Sequence, residues 1–260
     1  MTNVREPAVA GQFYPEDPGE LQALVDGLLQ EASCKEEAAP KALIAPHAGY
    51  VYSGAVAAAA YACLARYRDV YRRVVLLGPC HRVPVEGMAV SAADAFRTPL
   101  GDVPVDRATV AALEATGVAV FEASHQYEHS LEVHLPFLQT VLGEFSIVPV
   151  VVGEATPEAV AGLLEALWDG PETLIVVSSD LSHYHAYDEA RAQDEKTRRR
   201  IEQLDTQIDY DDACGATPLR GLLMQAKRRG MHVRTLDLRN SGDTGGDRDF
   251  VVGYGAWTFA

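Results

Sequence analysis

Short apolar runs rich in β-branched residues alternate with helical patterns from residue 40 to the end of the chain. The runs are KALIAPH, RRVVLLGP, GMAVSAA, FSIVPVVVG, TLIVVSSD, HVRTLDL and FVVGYGAW. Continuous apolar runs of this length suit strands buried on both faces of a sheet. Between them, Leu21, Leu24, Leu28 and Leu29 recur at helical spacing in PGELQALVDGLLQEA, and SGAVAAAAYACLARY predicts an Ala-rich helix with Ser53 as its cap. Further helices are predicted at RATVAALEATG, LEVHLPFLQTVLG, TPEAVAGLLEALWDG, DEARAQDEKTRRRIEQL and TPLRGLLMQAKRRG, the last stopped by Gly230. CKEEAAPK reads as a loop before the first core strand. The order predicts an α/β fold, a mostly parallel central sheet flanked by helices.

Length changes this picture little: 260 residues suit one α/β unit with a full core, a single domain over residues 1–260. Charge excludes more. With 22 Lys+Arg against 37 Asp+Glu, the net charge of −15 repels polyanions and argues against nucleic acid or anionic membrane as a partner. KTRRR, Lys196 to Arg200, is a local basic exception. No apolar stretch approaches the ~20 residues of a membrane span, and the N-terminal sequence lacks the regions of a signal peptide, so a cytoplasmic protein is expected. Cys34, Cys63, Cys80 and Cys214 form no CxxC pair. They are expected to be reduced, mostly buried thiols and not a disulfide framework or a cysteine-based zinc site.

Three polar clusters follow apolar runs in equivalent places. LIAPH delivers His47, VVLLGPCH delivers His81, and LIVVSSDLSH delivers Asp180 and His183. In open α/β sheets ligands bind beyond the carboxyl ends of the strands, so these side chains are expected to meet in one crevice. Imidazole ligates borderline metals through a neutral nitrogen, and two histidines with one carboxylate leave coordination positions open. The third ligand is sought in NSGDTGGDRDFVVGYG, where Asp243 competes with Asp247 and Asp249 and a polar turn is the bland reading. Cys80, next to His81, should point away from it along an extended segment.

YEHSLEVHLPFL holds a second constellation of His129, Glu132 and His134. Its spacing is not that of HExxH. His129 and Glu132 would share a face at i, i+3 on a helix, or Ser130 caps a helix beside a core histidine. SSDLSH invites a Ser-His-Asp reading, but the chain has no G-x-S-x-G elbow, and no G-x-G-x-x-G or P-loop points to a nucleotide.

AGQFYP, APHAGYVYSG, LGPCHRVP, EHSLEVHLPFL, VVSSDLSHY, CGATPLRGLL and NSGDTGGDRDFVVGYGA together resemble the Memo family over nearly the whole chain. Its prokaryotic members are often labelled AmmeMemoRadiSam system protein B. That family is similar in fold to the LigB-type class III extradiol dioxygenases, which hold non-haem Fe(II) with two histidines and a carboxylate. The resemblance implies that His47 and His81 bind metal, that Asp180 and His183 line the pocket, and that His129 and Glu132 belong to the same motif set. In animal members the third ligand is a cysteine, which is sought in the C-terminal loop. Here that loop reads SGDTGGD, which leaves Asp243 as the expected ligand. The implied cofactor is Fe(II), with copper and zinc as alternatives, and the implied partners are radical SAM and AMMECR-type proteins. The leading functional expectation is a dioxygenase-like oxidoreductase acting on a small molecule, with His183 or His129 moving protons beside Asp180 and Glu132. The alternatives are a partner-binding protein without turnover and a zinc hydrolase.

Overall fold

The computed structural model describes residues 3–34, 38–168 and 170–260. In chain order its strands are β1 (Val4–Arg5), β2 (Ala42–Ala45), β3 (Arg73–Pro79), β4 (Met88–Val90), β5 (Ala95–Thr98), β6 (Gly101–Pro104), β7 (Ala119–Val120), β8 (Ser146–Val152), β9 (Thr173–Ser178), β10 (His183–His185), β11 (Val233–Asn240) and β12 (Val251–Phe259). Its helices are α1 (Pro18–Glu31), α2 (Tyr50–Tyr61), α3 (Arg107–Ala115), α4 (Ala123–Gln126), α5 (Leu135–Val141), α6 (Pro157–Leu167), α7 (Tyr187–Glu202), α8 (Ala216–Arg229) and α9 (Ser241–Thr244).

The longest apolar runs become the centre of one large sheet, ordered β10-β12-β2-β9-β3-β8-β4-β7, with β11 paired to β12. β2, β9, β3 and β8 are parallel; β2 and β9 are buried throughout, and β3 and β8 in all but their first residues. The flanks correct the expectation of a mostly parallel sheet. β12 pairs antiparallel with β2, β10 and β11, and β4 pairs antiparallel with β8, so the sheet is mixed. A run buried on both faces looks the same in either direction, so its pattern carries no information on polarity. A separate small sheet, β1-β5-β6, comes from strands of two to four residues, too short to show a period.

Local signals place most helices. Gly230 ends α8 in the left-handed conformation at φ 64°, as its position predicts. Ser53 does not cap α2, which begins at Tyr50 after Gly49; the buried Ser53 hydroxyl instead donates to the Ala48 carbonyl. KTRRR lies on α7, where Arg198 and Arg199 pair with Glu195, Arg198 also with Glu202, and Arg200 with Asp212. Its three arginines are thus paired within the fold. Among the described residues, no helix is long and apolar enough to cross a membrane.

Cys34 and Cys63 form a disulfide, which overturns the expectation of four reduced thiols. Folding brings the turn after α1 against the 3-10 turn Ala62–Tyr67, a contact that a separation of 29 residues does not announce. Part of the CKEEAAPK loop, residues 35–37, lies outside the described residues. Under denaturing, non-reducing conditions a thiol reagent should label Cys80 and Cys214 alone, and all four cysteines after reduction. Peptide mass mapping checks this directly.

Candidate metal centre

β2, β9 and β3 are parallel neighbours, so their carboxyl ends share one rim of the sheet. His47 follows β2, His81 follows β3, and Ser178 closes β9 just before Asp180. The rings of His47 and His81 lie 5.1 Å apart between centroids, and His129 sits 5.5 Å from the first and 4.8 Å from the second. His47, His81, His129, Asp180 and His183 line one cavity of about 710 Å³, where they are joined by Cys214. Glycine makes the crowding possible. A Cβ on Gly78 would stand 2.7 Å from Ser130 Oγ, and that hydroxyl donates to the Pro79 carbonyl at 2.8 Å.

Hydrogen bonds orient both imidazoles. Ser178 Oγ donates to the Ser130 carbonyl at 2.6 Å, so its contact with His47 Nδ1, also 2.6 Å, is accepted from an Nδ1–H. His81 Nδ1 lies 2.9 Å from Glu128 Oε1, and its backbone N–H donates to Glu128 Oε2 at 2.6 Å. Each ring therefore carries its proton on Nδ1 and offers an Nε2 lone pair, the arrangement metal-ligating histidines use. Burial, then the neighbouring imidazoles of His81 and His129, push His47 well below its usual pKa and keep it neutral. Burial works against ionisation of Glu128, but the His81 and Ser130 donors outweigh it and hold the carboxyl down at about 2. Glu128 is a residue that the sequence reading missed.

One donor atom each from His47, His81 and Cys214 lies within 4.8 Å of the other two. Cys214 Sγ stands 3.4 Å from His47 Nε2. Burial, reinforced by the Asp180 carboxylate, pushes this thiol up to about 12. The next residue is again constrained: a Cβ on Gly215 would meet the Ser178 carbonyl at 2.6 Å, so glycine lets the loop press Cys214 against the end of β9. His81, Glu128 and His129 form a second close group. There the Glu128 oxygens already accept from His81 and from Ser130 N, which makes it the support of His81.

Asp243 is not brought to this cluster, a correction to the expected ligand set. It sits at N3 of α9, where Oδ2 accepts from Asn240 N in a capping box and Oδ1 accepts from the Tyr187 hydroxyl. It lines a different cavity, beside Asp188 and Arg191. The cysteine that lies beside His47 and His81 is instead Cys214, in CGATPLRGLL.

Glu132 is also displaced from the expected role. It is fully buried, away from the cavity, and accepts from the Arg5 guanidinium, Ala8 N, Val9 N and the Tyr14 hydroxyl. The i, i+3 argument fails because His129 precedes the helical segment, which starts with a 3-10 turn at Glu132. His134 is buried against the Tyr61 hydroxyl. Asp180 and His183 remain at the cavity. Burial raises Asp180 to about 7 even though His47 N donates to it, and burial lowers His183.

A model of the family described as Memo-like protein matches residues 5–258. The chain belongs to the Memo family. It is 40% identical to a MEMO1 family protein of Aquifex aeolicus, an alignment covering 96% of this chain and 97% of that one. It is 38% identical to a MEMO1 family protein of Methanosarcina barkeri over 97% of this chain and 98% of the other. One from Metallosphaera sedula is 35% identical over 98% and 99%. This Memo chain thus matches these relatives over nearly their whole length.

Proposed function

We propose that this Memo-family protein binds a transition metal through His47 Nε2, His81 Nε2 and Cys214 Sγ, with Fe(II) as its resident ion, and works as an oxidoreductase on a small molecule. The observation that carries the reading is the pair of Nδ1 hydrogen bonds that leave two lone pairs beside one half-buried thiol. Two imidazoles and a thiolate suit iron, copper and zinc. Cys214 binds as the thiolate, so metal uptake releases a proton. When bound, the ion supplies a Lewis acid and, as iron or copper, a redox centre.

The chain's own groups do the rest. Ser178 and Glu128 hold the two ligating rings in one tautomer. His183 and His129 are kept neutral by burial, which lets either accept a proton from a ligand in the cavity. Asp180 fixes the His47 backbone and lies 3.8 Å from its Nε2. The likeness of the Memo family to LigB-type dioxygenases is consistent with O₂ as the oxidant.

Anaerobic purification, elemental analysis and the spectrum of the nitric oxide adduct test the metal. Oxygen uptake and peroxide formation by the iron-loaded protein with catechols and simple reductants test the chemistry. Absence of both with full iron occupancy overturns the oxidoreductase reading in favour of partner binding, and zinc as the copurified ion favours a hydrolase. Glu128→Gln should lower metal affinity by ~10- to 100-fold, the usual cost of losing the partner of a ligating histidine. Competition with a chromogenic chelator measures it.

A further inference from the structure

Helix α7 turns Ala190, Asp194, Thr197 and Ile201 inward at i, i+4, i+7 and i+11, so a carboxylate takes a place on its buried face. Asp194 is 2% exposed, and its Oδ1 accepts from Ser182 N at 3.1 Å. Glycine makes room for it: a Cβ on Gly253 of β12 would stand 2.1 Å from Asp194 Oδ2. The same glycine ties the segment from its other side, since Leu181 N donates to the Gly253 carbonyl and Gly253 N to the Ser182 carbonyl, each at 2.8 Å. Burial raises the Asp194 carboxyl to about 6. An acid held higher in the folded protein than in the unfolded chain costs stability once the pH passes its ordinary range, so stability does not explain its place.

Ser182 lies between two groups of the crevice. Asp180 and His183 both line the cavity. The next residue, Tyr184, has a left-handed φ of 61°, and the register of β10 on β12 shifts between His183 and His185. A bulky residue keeps such a backbone only where its surroundings impose it. The Leu181–Ser182 peptide is where these ties meet. Its N–H donates to Asp194, and its carbonyl favours a proton on the His183 ring, against the burial that lowers this imidazole.

We infer that Asp194 is a positioning residue: by fixing the Leu181–Ser182 peptide it sets the orientation and tautomer of His183. One ring nitrogen turns its proton to the Leu181 carbonyl, and the other keeps its lone pair for the crevice. What His183 then does with a proton belongs to the metal-centre reading, on which this step rests; how the ring is held does not depend on it.

The experiment reads the ring nitrogens by NMR on the full chain with isotopically labelled histidine, metal-free and zinc-loaded, His183 being assigned by its loss in His183→Gln. Wild type should show a single His183 tautomer. Asp194→Leu, which removes the acceptor at similar size, should mix the two tautomers and bring the titration of His183 back toward that of an ordinary histidine. Amide exchange at Ser182 should quicken by ~10- to 100-fold, the worth of a hydrogen bond to a charged group. Asp194→Asn keeps an acceptor and should restore the wild-type readings. His125, 1% exposed on α4, should match wild type in every variant. Mixed tautomers in wild type, a reading that needs no variant to fold, overturn the inference. So do an unchanged His183 in folded Asp194→Leu, failure of Asp194→Asn to restore it, or an equal change at His125. Failure of wild type to hold zinc while the metal-free readings stand counts against the metal centre alone.

Discussion

Replacing Cys214 with Ala should strip the metal from the folded protein, whereas replacing Asp243 with Ala should leave it bound. The sulfur is one of three donor atoms within 4.8 Å of one another. Removing it should cost more than the ~10- to 100-fold that follows loss of a supporting partner. Asp243 spends both oxygens on Asn240 N and the Tyr187 hydroxyl, so its loss should loosen α9 without reaching the crevice. His47→Ala should match Cys214→Ala, because it removes a lone pair at the same cluster. Metal per chain, measured on protein whose circular dichroism matches wild type, decides the matter. Full occupancy in Cys214→Ala would remove the proposed centre, and loss in Asp243→Ala would restore the carboxylate as a ligand. A titration with metal in weakly buffered solution should also register less proton release in Cys214→Ala than in wild type.

What could be read before folding follows from how strands end. His47, His81 and Asp180 each trail an apolar run, and parallel neighbours deliver such residues to a common rim, so their convergence was legible. Cys214 trails no strand. It lies on the loop leading into α8, and what marks its place is the glycine after it, whose missing Cβ admits the Ser178 carbonyl. Glu128 was hidden for a related reason, since a carboxylate beside a histidine in sequence reveals nothing about a different histidine 47 residues away. Asp243 looked chemical because acid and glycine gather in its loop, and the same composition builds a capped turn. Sheet polarity and the small β1-β5-β6 sheet depend on pairing alone, and pairing is tertiary.

Glu132→Ala should destabilise the protein by about 3–5 kcal/mol, the cost of leaving half of a buried ion pair behind. The guanidinium of Arg5, with a side chain only 2% exposed, would keep its bonds to the His125 and Glu128 carbonyls but lose its counter-charge. Ala8 N, Val9 N and the Tyr14 hydroxyl would lose their acceptor as well. For a chain of this size the melting temperature should fall by roughly 10 °C. Glu132→Gln should fall between the two, because an amide oxygen still accepts while its NH₂ group faces donors. The effect reaches the crevice through the N-terminal segment, since Phe13 packs on the His129 ring at 4.9 Å and its carbonyl accepts from Tyr50 N at the start of α2. Metal content should survive at low temperature, because none of the three donor atoms touches Glu132. A melting temperature equal to wild type, combined with lost turnover, would reverse the assignment and return Glu132 to the catalytic role that its sequence motif suggests.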